Sequence, residues 1–217
     1  MNTHKPYGLY EKCFKRMLDV LCCLAVIVVF WWLYLIIALL VRTKLGSPVL
    51  FTQERPGKDE RIFKLYKFRT MTNQKDTEGN LLPDAVRLTK FGKMLRSTSL
   101  DELPEVINIL KGDMSIIGPR PLLVKYLPYY TERERVRHAV RPGLTGLAQV
   151  KGRNHLEWDK RLQIDMDYVN RITFFDDMRI LFLTVKKVWQ RSDIASGEQL
   201  TLKDLDDERR NTNNPCG

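Results

Sequence analysis

Residues 20–41 read VLCCLAVIVVFWWLYLIIALLV, an unbroken apolar run without a charged side chain. A helix needs about 20 such residues to cross the hydrocarbon core of a bilayer, whereas a long helix of a soluble protein keeps a polar face. The run exceeds the apolar region of a secretory signal peptide, about 7–15 residues, and no small-residue cleavage site follows it. The sequence therefore predicts a membrane-embedded helix near the N-terminus.

Basic residues flank both ends of this run, at Lys12, Lys15, Arg16, Arg42 and Lys44. Since an excess of basic residues normally marks the cytoplasmic side of a membrane, this symmetry leaves two topologies open. The helix either spans the bilayer once, or it is re-entrant and returns to the side from which it entered. Helix bends usually have a cause such as proline or a Gly/Ser pair, which the run lacks. Trp31 and Trp32, at mid-run, favour the headgroup level.

Outside this run, composition narrows the class of protein. The chain has 217 residues and a net charge of +10, which suits anionic partners such as nucleic acid, acidic lipid or phosphorylated substrates. Its four cysteines form no CxxC pair, and its three histidines have no metal-ligand spacing. Neither a disulfide framework nor a zinc site is predicted. No nucleic-acid-binding motif is recognisable, so nucleic acid is not an expected partner.

The predicted fold class is α+β, with the membrane-embedded helix followed by a mostly helical domain that carries short β-strands. The pattern predicts strands over 49–53 and 61–71, and helices over 90–96, 102–111, 127–138, 156–170 and 176–190. We divide the chain into an N-terminal segment, 1–45, a folded domain, 46–191, and a polar tail, 192–217, which is expected to fray. The helix over 176–190 is amphipathic and basic, and core packing is preferred to a membrane-surface role.

Two adjacent carboxylates stand at a predicted helix start. Ser99 and Glu102 match a capping box, in which both side chains bond to free backbone N–H groups. Proline is tolerated in the first turn of a helix, so Pro104 predicts a start between Ser99 and Asp101. Asp101 and Glu102 would then face the positive end of the helix dipole, which favours ionised carboxylates by about 0.3–1 kcal/mol. A capped surface helix alone accounts for Ser99 and Glu102.

Basic side chains around this pair point to a phosphate-binding site. The candidates are Lys67, Arg69, Arg96, Arg120, Arg141 and Arg153. Lys67 and Arg69 share one strand face, and several of the arginines lie in loops rich in glycine and proline. A fixed guanidinium suits bidentate binding of phosphate. A carboxylate beside bound phosphates can hold Mg²⁺ or attack phosphorus to form an acyl phosphate.

Six segments carry a resemblance to a known family. They are EKCFKRMLD at 11–19, FTQERPG at 51–57, KLYKFRTM at 64–71, FGKMLRSTSLDELPEVINILKGDMSIIGPRPLL at 91–123, VRPGLTGLAQVKGRN at 140–154 and FLTVKKV at 182–188. With these segments the chain resembles the small monotopic phosphoglycosyl transferases, the bacterial sugar transferase family. The likeness runs from about residue 10 to residue 191.

The resemblance implies an enzyme that transfers a phospho-sugar from a UDP-sugar to polyprenyl phosphate, typically undecaprenyl phosphate, and releases UMP. This would be the first membrane step of bacterial glycoconjugate assembly. By the same resemblance, Asp101 is the nucleophile that carries a covalent phospho-sugar, and Glu102 helps to bind Mg²⁺. Arg96 and Arg120 match family positions near the phosphates, and Arg141 lies in the family's RPG segment.

The resemblance also bears on topology and location. Family members commonly break the membrane helix with Ser-Pro, whereas this sequence has Trp31-Trp32 there. We still expect a re-entrant helix, since both of its ends are basic, in the inner membrane of a bacterium with the catalytic domain on the cytoplasmic face. Membrane lipids are expected partners, and the aromatics of the run permit a homodimer. Two alternatives stay open: a membrane-anchored basic binding or scaffold protein without catalysis, and direct one-step transfer with Asp101 only as a metal ligand.

Overall fold

The computed structural model describes residues 4–152, 156–190 and 204–212. Its α-helices are α1 (Lys15–Leu45), α2 (Asp84–Arg87), α3 (Lys90–Ser97), α4 (Glu105–Lys111), α5 (Leu147–Lys151), α6 (Trp158–Asn170), α7 (Phe174–Gln190) and α8 (Leu205–Thr212). Its strands are β1 (Leu50–Pro56), β2 (Ile62–Phe68), β3 (Ser115–Ile117) and β4 (Gly143–Thr145). Single π or 3-10 turns cover Tyr10–Phe14, Lys58–Glu60, Leu100–Glu102, Val124–Tyr129 and Glu134–His138. The predicted α+β class is confirmed.

The apolar run forms most of α1, which continues without a break through Trp31 and Trp32. Both flanks of α1 pack on the rest of the protein. Near its start, Arg16 donates to the carbonyls of Ile109 and Leu110 over 2.7 and 3.1 Å. Near its end, Val41 and Leu45 are buried in a cluster with side chains of β2 and α3.

The middle of α1 makes no such contact. Residues 28–32 are all exposed, and five consecutive residues cover more than one full turn of a helix. No face of α1 therefore touches the folded domain at this level. The helix is held at both flanks, and its most aromatic segment projects away from the protein.

A β-hairpin and α4 form the layer next to α1. β1 and β2 pair antiparallel, with Phe51 opposite Lys67. Asn108, fully buried on α4, accepts from Tyr66 N–H over 3.0 Å and donates to the Lys64 carbonyl over 2.7 Å. Because one amide bonds to the backbone on both sides of residue 65, α4 is fixed against the strand that carries Lys67.

The C-terminal half supplies a second layer. β3 and β4 pair in parallel and pack with α5, α6 and α7 around a core that includes Val169, Ile172 and Ile180. A buried ion pair joins Arg137 to Asp165 over 2.9 Å, and Arg137 also donates to the Arg120 carbonyl over 2.7 Å. The loop that carries Arg120 is thereby anchored to α6.

Several predicted elements require correction. The strands lie at Leu50–Pro56 and Ile62–Phe68, close to prediction, but the helix predicted over 127–138 is two 3-10 turns, with Pro128 inside the first. The helix predicted over 102–111 begins only at Glu105. Within the predicted tail, Leu205 starts a helix and is buried beside Trp158 and Leu162. This helix lies within the tail that was expected to fray, which stays a prediction, and residues 192–203 and 213–217 of the tail lie outside the described part.

The core-packing interpretation of α7 is only half right. Ile180 is buried in the core, but Phe182 and Trp189 are 70% and 87% exposed. Together with Phe175, Met178 and Val185, which are also exposed, these side chains recur every three or four residues and form one stripe. We call this set the α7 stripe. Its apolar surface faces away from the folded domain.

Candidate active site

A cavity of about 680 Å³ opens between the β1–β2 hairpin, α3 and the turn Leu100–Glu102. Two acidic side chains line it, Asp101 and Glu102. The basic side chains in its wall are Arg55, Lys67, Arg69, Arg87, Arg96, Arg120 and Arg161. A concave site with this excess of positive charge favours an anionic ligand.

The two carboxylates lie in a 3-10 turn that precedes α4, and the predicted capping box does not form. Ser99 is in the left-handed region, with φ of 55°, and its side chain makes no capping hydrogen bond. A non-glycine residue in this region costs about 1–3 kcal/mol, and such residues cluster at functional sites. Both acids therefore owe their positions to a strained turn and not to the first turn of an α-helix.

The apolar helix α1 supports this turn directly. Leu100 and Leu103 pack against the buried cluster that contains Ile37, Val41 and Leu45 of α1. The Tyr34 hydroxyl donates to the Leu103 carbonyl over 2.9 Å. The carboxylates are thus attached on one side to the apolar helix and on the other to the folded domain.

Glu102 is surrounded by positive charge. Its Oε1 atom lies 2.6 Å from Lys67 Nζ and 3.2 Å from Arg120 Nη2. Burial favours the neutral acid, but these two cations outweigh burial and lower the pKa of Glu102 to about 2. Glu102 is therefore ionised at neutral pH, and its Oε2 atom has no donor among the described residues.

Asp101 lies in a different environment. Its side chain is buried, at 8% exposure, and no described side chain donates a hydrogen bond to its carboxylate. Burial, and then the Glu102 charge, raise the pKa of Asp101, while Lys67 and Arg96 act in the opposite direction. A carboxylate without side-chain donors keeps lone pairs for another partner, such as a metal ion or phosphorus.

Glu105 is a third acid that sequence reasoning missed. It is buried, and its Oε1 atom lies 3.1 Å from Lys67 Nζ. Burial and the Glu102 charge raise the pKa of Glu105 to about 7. Lys67 is thus shared by two carboxylates, which fixes its ammonium group at the base of the site.

Arg96 and Arg69 reach the cavity by different routes. Arg96 donates through Nε to Thr70 Oγ1 over 3.0 Å. One turn earlier on α3, a Cβ atom at Gly92 would lie 1.8 Å from the Thr70 carbonyl, so only glycine permits this approach. Arg69 is buried and donates to the Ser47 carbonyl over 2.8 Å, which ties β2 to the end of α1.

The structure brings four of the six predicted basic ligands to the cavity: Lys67, Arg69, Arg96 and Arg120. It does not bring Arg141, which donates to the Gly112 carbonyl over 2.9 Å and lines a separate cavity of about 250 Å³. Arg141 is thus held away from the carboxylate pair, and its substrate-binding role stays a prediction. Arg153 lies outside the described residues.

Three further arginines, Arg55, Arg87 and Arg161, were missed. The strand pattern could have revealed Arg55, because Phe51 and Gln53 share its face of β1 and all three line the cavity. Arg161 and Arg87 carry no comparable local signal, since only the tertiary fold brings them there.

A buried aspartate beside a partly exposed glutamate inside a basic cavity is an arrangement that suits an enzyme acting on anionic substrates. The model of the family described as bacterial sugar transferase matches residues 10–191. The chain belongs to this family, and it is a transferase.

Named relatives agree with this assignment. The chain is 50% identical over 195 residues to an uncharacterized sugar transferase, EpsL, of Bacillus subtilis, covering 87% of this chain and 94% of that protein. It is 39% identical over 192 residues to a UDP-glucose:undecaprenyl-phosphate glucose-1-phosphate transferase of Klebsiella pneumoniae. It is 36% identical over 194 residues to an undecaprenyl-phosphate galactose phosphotransferase of Salmonella typhimurium. These two matches cover 84% and 82% of this chain, but only 41% and 40% of the longer relatives.

Proposed function

We propose that this protein transfers a phospho-sugar from a UDP-sugar to undecaprenyl phosphate and releases UMP, in the assembly of a bacterial glycoconjugate. The names of two relatives support the acceptor and the type of transfer. The observation that carries the proposal is Asp101 itself, a buried carboxylate without a side-chain donor in a cavity of seven basic groups.

Asp101 is the nucleophile in this proposal. One of its oxygens attacks the phosphorus that bears the sugar, an Asp–O–P bond forms, and the P–O bond to UMP breaks with its electron pair on UMP. An oxygen of undecaprenyl phosphate then attacks the same phosphorus, and the Asp–O–P bond breaks. The desolvation that raises the pKa of Asp101 also makes its anion a stronger nucleophile, while arginines around the cavity stabilise the phosphate charge.

Mg²⁺ fits the donor set of this site. Mg²⁺ is usually held by one or two carboxylates together with substrate phosphates and water. Glu102 keeps its Oε2 atom without a described donor, and the Asp101 carboxylate, which has no described side-chain donor, is available to a cation. Glu102 and Asp101 would hold the ion, which supplies charge neutralisation at the phosphates.

Protein mass spectrometry tests the nucleophile. After brief incubation with a UDP-sugar and Mg²⁺, without acceptor, we expect the intact protein to gain the mass of one phospho-sugar. The Asp101→Ala variant should gain none, while Lys93→Gln, an exposed change on α3, should gain as much as wild type. Active wild-type protein without the mass gain would contradict the covalent step and favour direct transfer.

The surface of the protein supports a location at the cytoplasmic face of the inner membrane. Because α1 is unbroken in this structure, a re-entrant course requires α1 to bend on insertion into the lipid. Arg16 and Leu45, near opposite ends of α1, both contact the folded domain, so a single polar domain holds both ends. The exposed segment 28–32 then reaches deepest into the lipid. The α7 stripe provides a second apolar surface, beside Lys186 and Lys187, whose charges favour anionic headgroups.

Thiol labelling tests this topology. In a variant whose native cysteines are replaced by serine, we introduce a single cysteine at Lys12, Lys44 or Lys93. A membrane-impermeant maleimide should label all three in inverted inner-membrane vesicles and none in intact spheroplasts. Labelling of Lys12→Cys and Lys44→Cys from opposite sides would demonstrate a single span and refute the re-entrant helix.

A further inference from the structure

The helix α8 lies beyond the part of the chain that matches the family model. That match covers residues 10–191, whereas α8 spans Leu205–Thr212. Even so, α8 is part of the packed structure, because Leu205 is fully buried in the cluster that also contains Tyr126 and Trp158. A helix outside the matched region thus completes a part of the core that the matched region forms.

Polar side chains attach both ends of α8 to the same part of the protein. Just before its start, Asp204 accepts a hydrogen bond from the Tyr126 hydroxyl over 2.9 Å. Near its other end, Arg209 donates to both carboxylate oxygens of Glu134, over 2.6 and 2.7 Å. Bidentate pairs of this kind are strong and directional. The helix therefore has a fixed position, and one of its anchors is an aromatic side chain of the core.

Aromatic contacts continue from this anchor to the active-site cavity. The Tyr126 ring meets the Trp158 indole edge-to-face, with centroids 5.4 Å apart and an interplanar angle of 73°. The Arg161 guanidinium lies over the Trp158 ring, 5.0 Å from its centroid, and Arg161 lines the cavity. A continuous line of contacts thus runs from Asp204, next to α8, to a cation of the active site.

Arg161 is held differently from the other six basic side chains of the cavity. Arg161 makes no hydrogen bond or ion pair with any described residue, and it lies on the face of the Trp158 indole. A guanidinium in this position is attracted by the quadrupole of the ring, so the position of the ring determines the position of the charge. The other six each donate a hydrogen bond to a protein oxygen: Arg55, Lys67, Arg69, Arg87, Arg96 and Arg120.

We propose that α8 is a positioning element of the active site, which holds the Trp158 indole in place and thereby orients Arg161 in the cavity. This inference rests on the proposed function, since it takes the cavity as the binding site of an anionic substrate. Leu205, Tyr126 and Trp158 are positioning residues, because none of them lines the cavity. When α8 is loosened, the indole loses part of its packing, Arg161 loses its support, and the cavity binds anions less tightly.

UDP binding to the full-length protein in lipid nanodiscs, measured by calorimetry well below the unfolding temperature, tests this role. Leu205→Ala and Arg209→Gln both loosen α8 and should each weaken UDP binding about three- to tenfold, as expected for the loss of one cation–π contact. Arg161→Gln should weaken it at least as much. Asp207→Asn, at an exposed position on α8, is the matched control and should leave the UDP affinity within about twofold of wild type.

A double variant decides whether α8 acts through Arg161. Adding Leu205→Ala to Arg161→Gln should cause no further loss of UDP affinity, because the contact that α8 supports is already gone. Losses that multiply in the double variant would overturn the proposal. So would a Leu205→Ala protein that unfolds at a lower temperature but binds UDP as tightly as wild type, since α8 would then stabilise the fold without positioning Arg161.

Controls separate this inference from the proposed function. Thermal unfolding verifies that each variant is folded at the assay temperature, and Arg209→Lys, which keeps the charge, should recover part of the affinity that Arg209→Gln loses. Wild-type protein that binds no UDP would overturn the inference. If the variants bind UDP as expected but wild-type protein releases no UMP from any UDP-sugar, the proposed function fails and the role of α8 is retained.

Discussion

Asp101 and Glu102 are adjacent in one turn, yet their surroundings shift their pKa values in opposite directions. Glu102 contacts two cations and has its pKa lowered, whereas Asp101 has no side-chain donor among the described residues and has its pKa raised by burial. The difference shows that adjacency in sequence does not give two acids the same chemistry. The compensated acid stabilises the fold, and the uncompensated one is kept reactive at a cost to stability.

The largest effect should come from Asp101→Asn. Loss of a nucleophile usually removes 10³-fold or more of the activity, and we expect UMP release to fall by at least about that factor. Stability should change in the opposite sense. A carboxyl whose pKa is raised by folding destabilises the ionised native state, so the variant should unfold at a higher temperature than wild type at pH 7.

The pH dependence sharpens this prediction. The stability advantage of Asp101→Asn should shrink as the pH falls through the raised pKa of the native carboxyl, and it should be gone below the ordinary pKa range of an aspartic acid. Thermal unfolding at pH 7 and pH 4, with UMP release assayed on the same samples, checks both parts. A variant less stable than wild type at pH 7 would show that Asp101 is compensated after all.

Glu102→Gln should have the opposite effect on stability. A pKa lowered from about 4.5 to about 2 corresponds to roughly 3 kcal/mol, and Glu105, which also contacts Lys67, compensates part of the loss. We expect the variant to be less stable than wild type by about 1–3 kcal/mol at pH 7.

The sign of the pH dependence follows from the lowered pKa. The contribution of Glu102 is fully present above its unfolded pKa, declines below pH about 4.5 and is nearly gone at pH 2. Urea unfolding of wild type and Glu102→Gln at several pH values measures the difference. A gap that stays constant from pH 7 to pH 3 would contradict the ionic origin of this stabilisation.

The sequence predicted the environment of Glu102 better than that of Asp101. The positive charge near Glu102 was visible, because Lys67 and Arg120 lie in segments whose composition indicates fixed loops and strands. The burial of Asp101 was not, since it depends on Leu100 and Leu103 packing against α1. A helix-capping pattern gave Ser99 a role that its left-handed backbone does not allow. Local patterns thus located the carboxylate pair but predicted the wrong backbone conformation for the turn that carries it.

Local sequence patterns are limited in the same way when they are used to predict the fold. The apolar run and the strand pair follow from periodicity and were predicted within a few residues. The position of Arg141 and the helix that begins at Leu205 depend on contacts across the chain, such as the hydrogen bond from Arg141 to Gly112 and the burial of Leu205 beside Trp158. No local sequence pattern reports such contacts, because each partner is distant in sequence.

The smallest effect should come from Tyr34→Phe, which tests how α1 holds the turn that carries both acids. The change removes the hydrogen bond from Tyr34 to the Leu103 carbonyl without creating a cavity, so the free energy of unfolding should fall by about 0.5–1.5 kcal/mol. UMP release should fall several-fold, because the turn is then positioned less exactly. Tyr7→Phe, at an exposed position whose hydroxyl makes no described hydrogen bond, is the matched control and should change neither. Equal behaviour of the two variants would mean that the membrane helix does not position the carboxylates, and that the difference between Asp101 and Glu102 is set by the folded domain alone.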